Sequence, residues 1–416
     1  MLPHTTKFWL WWSVSVSLRQ FWPVQQRSYF VPLRRTLIVS ATTVASVCSL
    51  FFGQAALAAD HPVSQPATAA KTDSLRALGA RDGLRIGTAV NPTELASSTY
   101  RSLIANQFST VTPENEMKWE TVEPTQGQYN WGPADRLVTF AQAHHQLVRG
   151  HTLLWQNQLP SWLTAGVANG TISDSDLRAL LKKHIQDEVG HFKGKIWQWD
   201  VVNEAFSNTW EGDGNPKPAN FWVQHLGAGI LADAFRWAHA ADPKALLFYN
   251  DYAIEDINAK STAILTWAKG LLAQGVPIDG IGFQTHLDTQ YPLPTDMTAN
   301  MQRFADIGLK VAETEVDVRT NVNPGTNTPQ SADLQTLQDA NWKQTIDSCL
   351  AIKACISYTV WGVSDNQSWV PSTFPGEGAA LLYNADLQPK PEYTVVQHEL
   401  ATVSAPHRSG RGAGRA

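Results

Sequence analysis

Short apolar runs alternate with helical stretches eight times along most of this chain. The apolar runs lie at 84–90, 109–112, 147–154, 196–202, 245–249, 280–284, 309–316 and 356–361. Several are nearly continuous in apolar residues, which is typical of β-strands covered on both faces. The stretches between them, such as 174–189 and 231–241, carry apolar residues at helical spacing. The repeats therefore predict an α/β fold, a (β/α)8 TIM barrel formed by one domain at 73–403.

A doubly wound open sheet would show the same alternation of strands and helices. Such a sheet is expected to carry a glycine-rich phosphate turn after an early strand, and no G-x-G-x-x-G pattern occurs in the sequence. No self-similar repeat of solenoid length is visible either. The barrel is therefore the preferred prediction.

The N-terminal region has the composition of a targeting segment. Arg34-Arg35 precedes an uncharged stretch, 36–59, that closes on Ala56-Leu57-Ala58. This order of features predicts a secretory signal peptide at 1–58 and a secreted or periplasmic protein. An uncleaved membrane anchor is the alternative, because the uncharged stretch is just long enough to span a bilayer.

Other segments outside the barrel are assigned from composition. Residues 59–72 are rich in Pro, Ala, Thr and Ser and lack periodicity, so they are interpreted as a linker. Residues 404–416 are rich in Gly, Arg and Ser and are predicted to be a disordered tail. The stretch before Arg34 is long and Trp-rich for a signal peptide, which makes Val31 an alternative translation start.

Charge limits the classes of partner. Without 1–58 the chain has 27 basic residues against 37 acidic residues, so nucleic acid is not expected to bind. No stable membrane association is expected once the signal is cleaved, and the protein is expected to be a monomer.

Cys349 and Cys355 lie outside the signal, and in an exported protein such a pair predicts a disulfide. A metal site would need further Cys or His ligands at close spacing, so no metal is expected.

Polar and aromatic residues follow seven of the eight apolar runs. In a TIM barrel the active site lies at the carboxyl ends of the strands, so these residues are candidates for it. They are Glu114, Asn115, His151, Gln158, Asn203, Glu204, Asn250, Asp251, Tyr252, Gln284, His286, Glu315, Asp317 and Trp361.

Two of these carboxylates, Glu204 and Glu315, follow runs that face each other across a barrel mouth. Glycoside hydrolysis needs two such groups, one to protonate the leaving oxygen and one to attack or to activate water. Either residue alone could instead pair with a nearby Lys or Arg, but both together, with Asn203 and His286 beside them, favour catalysis. No G-x-S-x-G, H-E-x-x-H or Walker pattern supports another hydrolase or kinase, and no cofactor is expected.

Tryptophan is abundant, with 17 residues in the chain. Trp155, Trp361 and Trp369 lie at predicted strand ends or in the following loops, where aromatic faces can pack against sugar rings. Trp237, Trp267 and Trp342 are interpreted as helix packing instead.

Seven motifs run in order from about residue 75 to 400. They are Val111-Thr-Pro-Glu-Asn-Glu-Met-Lys-Trp119, Arg149-Gly-His-Thr-Leu-Leu-Trp155, Trp199-Asp-Val-Val-Asn-Glu204, Tyr249-Asn-Asp-Tyr252, Gly282-Phe-Gln-Thr-His286, Thr314-Glu-Val-Asp317 and Val360-Trp-Gly-Val-Ser-Asp365. With these motifs the sequence resembles glycoside hydrolase family 10, the endo-1,4-β-xylanases. The Cys349/Cys355 pair also resembles a disulfide common in that family.

The resemblance implies a retaining mechanism with Glu204 as acid/base and Glu315 as nucleophile. It also implies that Asn203 binds the sugar 2-hydroxyl and that His286, backed by Asp317, orients Glu315. Residues matching the glycone subsites are Glu114, Asn115, Lys118, His151, Trp155, Gln158, Gln284, Trp361 and Trp369, whereas Tyr252 matches the aglycone platform. One departure is Gln156, where the family usually has His.

The leading hypothesis is a secreted endo-β-1,4-xylanase that acts on xylan and xylo-oligosaccharides. A second hypothesis is another retaining β-1,4-glycanase on the same barrel, such as a cellulase or a mixed-linkage glucanase. A third is a non-catalytic carbohydrate-binding protein, but simple binding would need neither Glu204 nor Glu315.

Overall fold

The structure is a computed structural model that describes residues 73–208 and 220–403. The predicted signal peptide at 1–58, the linker at 59–72 and the tail at 404–416 lie outside the described residues and stay predictions. Within the described residues, every helix is too short or too polar to cross a bilayer.

Eight parallel strands close into a barrel. They are β1 (Arg85–Val90), β2 (Thr110–Pro113), β3 (Leu147–Leu154), β4 (Gln198–Asn203), β5 (Leu246–Asp251), β6 (Gly280–Phe283), β8 (Lys310–Asn321) and β9 (Cys355–Val360). Neighbours in this order pair in parallel, and β9 pairs with both β8 and β1, which completes the closure. The predicted (β/α)8 barrel is confirmed.

Helices connect the strands and cover the outside of the barrel. They are α1 (Leu75–Arg81), α2 (Ser98–Gln107), α3 (Trp119–Val122), α4 (Gly132–Ala143), α5 (Ser161–Ala168), α6 (Asp174–His191), α7 (Phe221–Leu226), α8 (Gly229–Ala241), α9 (Ala259–Ala273), α10 (Met297–Ala305), α11 (Ala332–Ala351), α12 (Val370–Thr373) and α13 (Pro391–Thr402). Several start at side chains that accept backbone N–H groups, such as Ser173 before α6 and Asn220 before α7. The helices predicted at 174–189 and 231–241 correspond to α6 and α8.

The predicted strand ends agree with the structure to within two residues, with one exception. β8 was expected to end at 316 but continues to Asn321, because its second half pairs with two short strands, β7 (His286–Asp288) and β10 (Glu377–Gly378). That half, Asp317-Val-Arg-Thr-Asn321, has a single apolar residue, so a search for apolar runs could not reveal it.

Close packing inside the sheet explains one glycine of a motif. A Cβ atom on Gly150 of β3 would lie 2.2 Å from the Trp199 ring of β4. Trp199 is fully buried, so it has no room to move away. Glycine at this position therefore lets β3 and β4 pair while a large ring fills the space between them.

The predicted disulfide is present. Cys349, near the end of α11, is bonded to Cys355 at the start of β9, with a Cα–Cα distance of 5.3 Å. Both cysteines are buried. The bond fixes the tight connection between the last long helix before β9 and that strand.

One buried carboxyl group weakens the fold. Glu313 of β8 is fully buried beside Tyr358 of β9, and neither of its carboxyl oxygens has a hydrogen-bond partner within 73–208 and 220–403. Burial raises the pKa of Glu313 well above its usual value, and the Glu255 carboxylate raises it further. The folded chain therefore keeps a proton that the unfolded chain releases, so this group lowers stability as pH rises above about 4.3.

Glu313→Met is therefore expected to raise the melting temperature at pH 7 by about 2–5 °C, because it removes an unpaired buried carboxyl group at similar volume. The gain should shrink as pH falls toward 4, where the unfolded state keeps its proton as well. Thermal melts between pH 4 and 8 measure this, with Glu120→Met at an exposed glutamate as the matched control. A gain that does not depend on pH would contradict the assignment of the carboxyl group as its cause.

Candidate active site

The carboxyl ends of the barrel strands bring the predicted catalytic side chains to one end of the barrel. Glu204 follows β4 directly, Glu315 lies in β8, and His286 begins β7. Because parallel strands of a barrel all end on the same face, residues far apart in sequence meet there. Asn203 and Asp317 join this group from β4 and β8.

Glu315 is surrounded by groups that stabilise its negative charge. Its Oε1 accepts a 2.7 Å hydrogen bond from Asn250 Nδ2 and lies 3.6 Å from Arg149 Nη2, and its Oε2 lies 3.3 Å from His286 Nε2. Burial alone would raise the pKa of this carboxyl, but His151, His286 and Arg149 outweigh burial and lower the pKa to about 2. Glu315 is therefore an ionised carboxylate at neutral pH, as a nucleophile must be.

His286 lies between two carboxylates. Its Nε2 faces Glu315, and its Nδ1 lies 3.0 Å from Asp317 Oδ1. Burial disfavours a charged imidazole, but Asp317 and Glu315 outweigh it and raise the pKa of His286 to about 10. Asp317 is held from its other side by Trp369, whose Nε1 donates at 2.7 Å. His286 is thus a fixed cation beside Glu315.

Glu204 has a different environment. It is partly exposed, and its carboxyl accepts hydrogen bonds from Trp155 Nε1 at 2.8 Å and Gln284 Nε2 at 3.0 Å. Burial raises the pKa of Glu204, and the nearby Asp251 and Glu315 carboxylates raise it further against these two hydrogen bonds. Glu204 therefore holds its proton to higher pH than Glu315 does, as a general acid must.

Amide side chains connect the two carboxyl groups. Asn250 Nδ2 bonds both Glu315 Oε1 and, at 2.9 Å, Asn203 Oδ1. Gln284 Nε2 bonds Glu204 Oε1 and lies 3.4 Å from the same Asn203 oxygen. The arrangement fixes both carboxyl groups before substrate arrives, which is the preorganisation that catalysis requires.

Arg149 and Asp200 were not predicted as site residues, although both lie in the quoted motifs. Arg149 Nη2 lies 2.5 Å from Asp200 Oδ2, and Arg149 Nη1 donates to the Thr314 main-chain oxygen at 2.6 Å. Asp200 also accepts from His151 Nδ1 at 2.8 Å. Arginine inside an apolar strand run was the available signal, because a buried guanidinium needs a carboxylate partner.

The same cluster bears on metal binding. Ligand atoms of His151, Asp200 and Glu315 lie within 4.8 Å of one another. The Arg149 guanidinium, however, already pairs with Asp200 and lies beside Glu315. The Arg149 guanidinium therefore already supplies the positive charge in this cluster of acidic and histidine side chains.

The predicted glycone residues form a polar group beside Trp155. Lys118 is buried, its Nζ donates to Asn115 Oδ1 at 3.0 Å, and it lies 5.0 Å from the centre of the Trp155 ring. Gln158 Nε2 reaches the same Asn115 oxygen at 3.3 Å. Burial lowers the pKa of Lys118, while the nearby Glu315, Glu114 and Glu204 carboxylates oppose that shift. Charged and amide groups fixed beside an aromatic face suit a sugar ring with its hydroxyls.

Two tryptophans flank His151 and His286. The Trp361 ring lies edge-on to His151 with centroids 5.3 Å apart, and the Trp369 ring lies 5.1 Å from His286. Both indoles are partly exposed, so they present apolar surface next to the two carboxylates.

Tyr252 is held in place by a buried lysine, Lys260. Lys260 Nζ bonds the Tyr252 main-chain oxygen at 2.7 Å, Asp251 Oδ1 at 2.7 Å and Asn208 Oδ1 at 2.9 Å. Asn208 Nδ2 in turn donates to the Tyr252 hydroxyl at 2.9 Å. The ring is held rigidly, as a stacking platform should be.

Gln156 contacts the main chain of Glu204 with its side-chain amide. Its Nε2 donates to the Glu204 carbonyl oxygen at 3.2 Å, and its Oε1 accepts from Asn220 Nδ2 at 2.8 Å. The residue that departs from the family pattern therefore belongs to the site.

Comparisons with known proteins identify the family of this chain. The sequence profile of glycosyl hydrolase family 10 matches residues 74–399. The chain is 42% identical over 297 residues to endo-1,4-beta-xylanase A of Fusarium oxysporum f. sp. lycopersici, covering 70% of this chain and 86% of that protein. It is 37% identical over 300 residues to endo-1,4-beta-xylanase B of Thermotoga neapolitana, covering 72% of this chain and 82% of that protein.

Solved structures of xylanases are also similar to this chain. The crystal structure of native xylanase 10B from Thermotoga maritima is 38% identical, with a TM-score of 0.72 over 79% of this chain and 98% of that chain. Xylanase 10B from Thermotoga petrophila, solved in complex with xylobiose, is also 38% identical with a TM-score of 0.72, over 79% of this chain and 97% of that chain.

Proposed function

Because this chain belongs to glycosyl hydrolase family 10, we propose that it cleaves internal bonds of xylan with retention of anomeric configuration. The chain is an endo-1,4-β-xylanase, and xylan and xylo-oligosaccharides are its substrates. The proposal assigns Glu204 as acid/base and Glu315 as nucleophile.

In the first step, a Glu315 carboxylate oxygen attacks the anomeric carbon while the bond to the leaving oxygen breaks. Glu204 gives its proton to that oxygen, and a covalent xylosyl–enzyme ester forms. In the second step, Glu204, now ionised, removes a proton from water. That water attacks the anomeric carbon, and the bond to Glu315 breaks. Both carboxyl groups return to their starting states.

The opposed proton affinities of the two carboxyl groups carry this proposal. Glu315 is ionised at neutral pH because its pKa is lowered to about 2 by His151, His286 and Arg149 against burial. Burial raises the pKa of Glu204 instead. Two carboxyl groups whose pKa values differ in this way can supply an ionised nucleophile and an acid at the same pH.

The surrounding residues have supporting roles in the proposal. His286 and Asp317 orient Glu315, and Asn203 donates from Nδ2 to the sugar 2-hydroxyl, since its Oδ1 already accepts from Asn250. The group around Lys118 and Trp155 holds the glycone, and Tyr252 stacks on the aglycone.

We also propose that residues 1–58 direct export, so that the mature protein acts outside the cytoplasm. Sequencing the N-terminus of the exported protein tests this. The protein is also proposed to act as a monomer.

Product analysis tests substrate choice against the alternative of a broader β-1,4-glycanase. Xylan, cellulose and mixed-linkage glucan are incubated side by side with the enzyme, and soluble products are separated over time. The expected result is a ladder of xylo-oligosaccharides from xylan, with far slower release from both glucans. Equal rates on a glucan would overturn the assignment of xylan as the preferred substrate.

A further inference from the structure

Four residues and the acid/base residue Glu204 together form a closed ring of hydrogen bonds. Trp155 Nε1 bonds the Glu204 carboxyl, and the Trp155 carbonyl accepts from Trp222 Nε1 at 2.8 Å. The Trp222 main-chain N–H donates to Asn220 Oδ1 at 3.1 Å. Asn220 Nδ2 then bonds Gln156 Oε1, and Gln156 Nε2 bonds the Glu204 carbonyl. The ring thus joins the side chain of Glu204 to its own main chain.

The main chain of Glu204 needs such support. Its φ is +53°, in the left-handed region that is unfavourable for residues other than glycine, asparagine and aspartate. Its N–H donates to the Asn250 carbonyl at 2.9 Å, which fixes one side of the residue. The Gln156 amide fixes the other side by bonding its carbonyl oxygen. An unusual backbone conformation at a functional residue persists only where neighbours hold it.

The far side of the ring is rigid. Asn220 is buried and caps α7, because its Oδ1 accepts from the N–H groups of both Trp222 and Val223. Trp222 is fully buried and stacks in parallel on Trp119, with ring centroids 5.7 Å apart. Asn220, which binds Gln156, is therefore fixed in place at the start of α7.

We propose that Gln156, anchored by Asn220, is a positioning residue that keeps the Glu204 carboxyl aimed at the leaving oxygen. The inference rests on the proposed acid/base role of Glu204. One amide supplies both a donor for the Glu204 carbonyl and an acceptor for Asn220, and it does not titrate. The contact therefore holds Glu204 in place equally at every pH at which the enzyme acts.

Two variants break the ring at different bonds. Gln156→Met removes both hydrogen bonds and keeps an unbranched side chain. Asn220→Asp keeps the oxygen that caps α7 but removes the amide donor to Gln156. Gln146→Met is the matched control, because Gln146 Nε2 also makes two main-chain bonds, to Ile104 and Phe108, just before β3 at the opposite end of the barrel. Thermal melts confirm that each variant is folded at the assay temperature.

The readout is kcat/KM on two aryl β-xylobiosides, one with a good and one with a poor leaving group. Only the poor leaving group needs protonation, so displacement of the acid affects that substrate alone. Gln156→Met and Asn220→Asp are expected to lower kcat/KM about 10-fold on the poor leaving group and less than about threefold on the good one. The double variant should be no worse than the worse single variant, because both break one ring. Gln146→Met should change kcat/KM by the same factor on both substrates.

Glu204→Ala, measured in parallel, separates two kinds of failure. If Glu204→Ala shows the leaving-group preference and Gln156→Met does not, the positioning role is wrong while the proposed function stands. Equal losses on both substrates in Gln156→Met would likewise overturn that role, because they indicate a general structural defect. If Glu204→Ala itself slows both substrates equally, the acid/base assignment fails and the role of Gln156 fails with it.

Discussion

Glu315→Ala is expected to lower turnover of every xylan-derived substrate by about 10⁴-fold or more, because it removes the carboxylate that forms the covalent intermediate in the proposed mechanism. The loss should be similar for good and poor leaving groups, since attack at the anomeric carbon is needed in both cases. Steady-state rates on xylohexaose and on an activated aryl xylobioside measure it. Glu313→Met is the control, because that residue is buried in the same strand outside the carboxylate pair.

Azide provides a second readout for the same variant. Removal of the Glu315 side chain leaves space on the face of the sugar from which the carboxylate attacks. Azide entering there should form an α-xylosyl azide with the activated substrate, because a single displacement inverts the configuration. If Glu315→Ala kept its rate on activated substrates without azide, Glu315 would not be the nucleophile.

Glu204→Ala is expected to lower kcat/KM on poor leaving groups by about 10²- to 10⁴-fold and to spare the first step on good ones. The second step then becomes slow, because no base remains to activate water. Azide needs no base, so it should accelerate turnover and give a β-xylosyl azide, the product of two inversions. Product NMR distinguishes this azide from the α-product expected of Glu315→Ala.

The pH profile of kcat/KM for Glu204→Ala tests which group causes the fall in activity at high pH, the alkaline limb of the profile. In the parent enzyme, kcat/KM should fall as pH rises through the pKa of Glu204, which burial raises, because the acid loses its proton. The acidic limb should lie near the pKa of about 2 that Glu315 has in its cationic surroundings. Glu204→Ala should lose the alkaline limb. A limb that persists unchanged would assign it to another group.

Much of the fold and the carboxylate pair could be predicted from the sequence for one physical reason. Buried parallel strands are nearly continuous apolar runs, so they stand out in the sequence, and a closed barrel places all their carboxyl ends on one face. A polar residue directly after such a run, such as Glu204, is therefore a site candidate before any coordinate is known.

Features set by pairing geometry could not be predicted in this way. β7 is three residues long and mixes His286 and Asp288 with one apolar residue, so its pairing with β8 has no periodic signal. The role of Asn220 depends on where α7 begins relative to β3, which local sequence does not determine. In the sequence Gln156 is only a departure from the family pattern, whereas its hydrogen bond to the Glu204 main chain depends on the folded structure.

Proton NMR of the first-formed product on xylohexaose tests the retaining double displacement most directly. The spectrum is followed from the first minutes, before the new reducing end equilibrates between its two anomers. Two displacements at one carbon, by Glu315 and then by water, predict that the β-anomer appears first and the α-anomer grows in later at the rate of mutarotation. An α-anomer that appears first would show a single displacement by water and would contradict the assignment of Glu315 as a nucleophile.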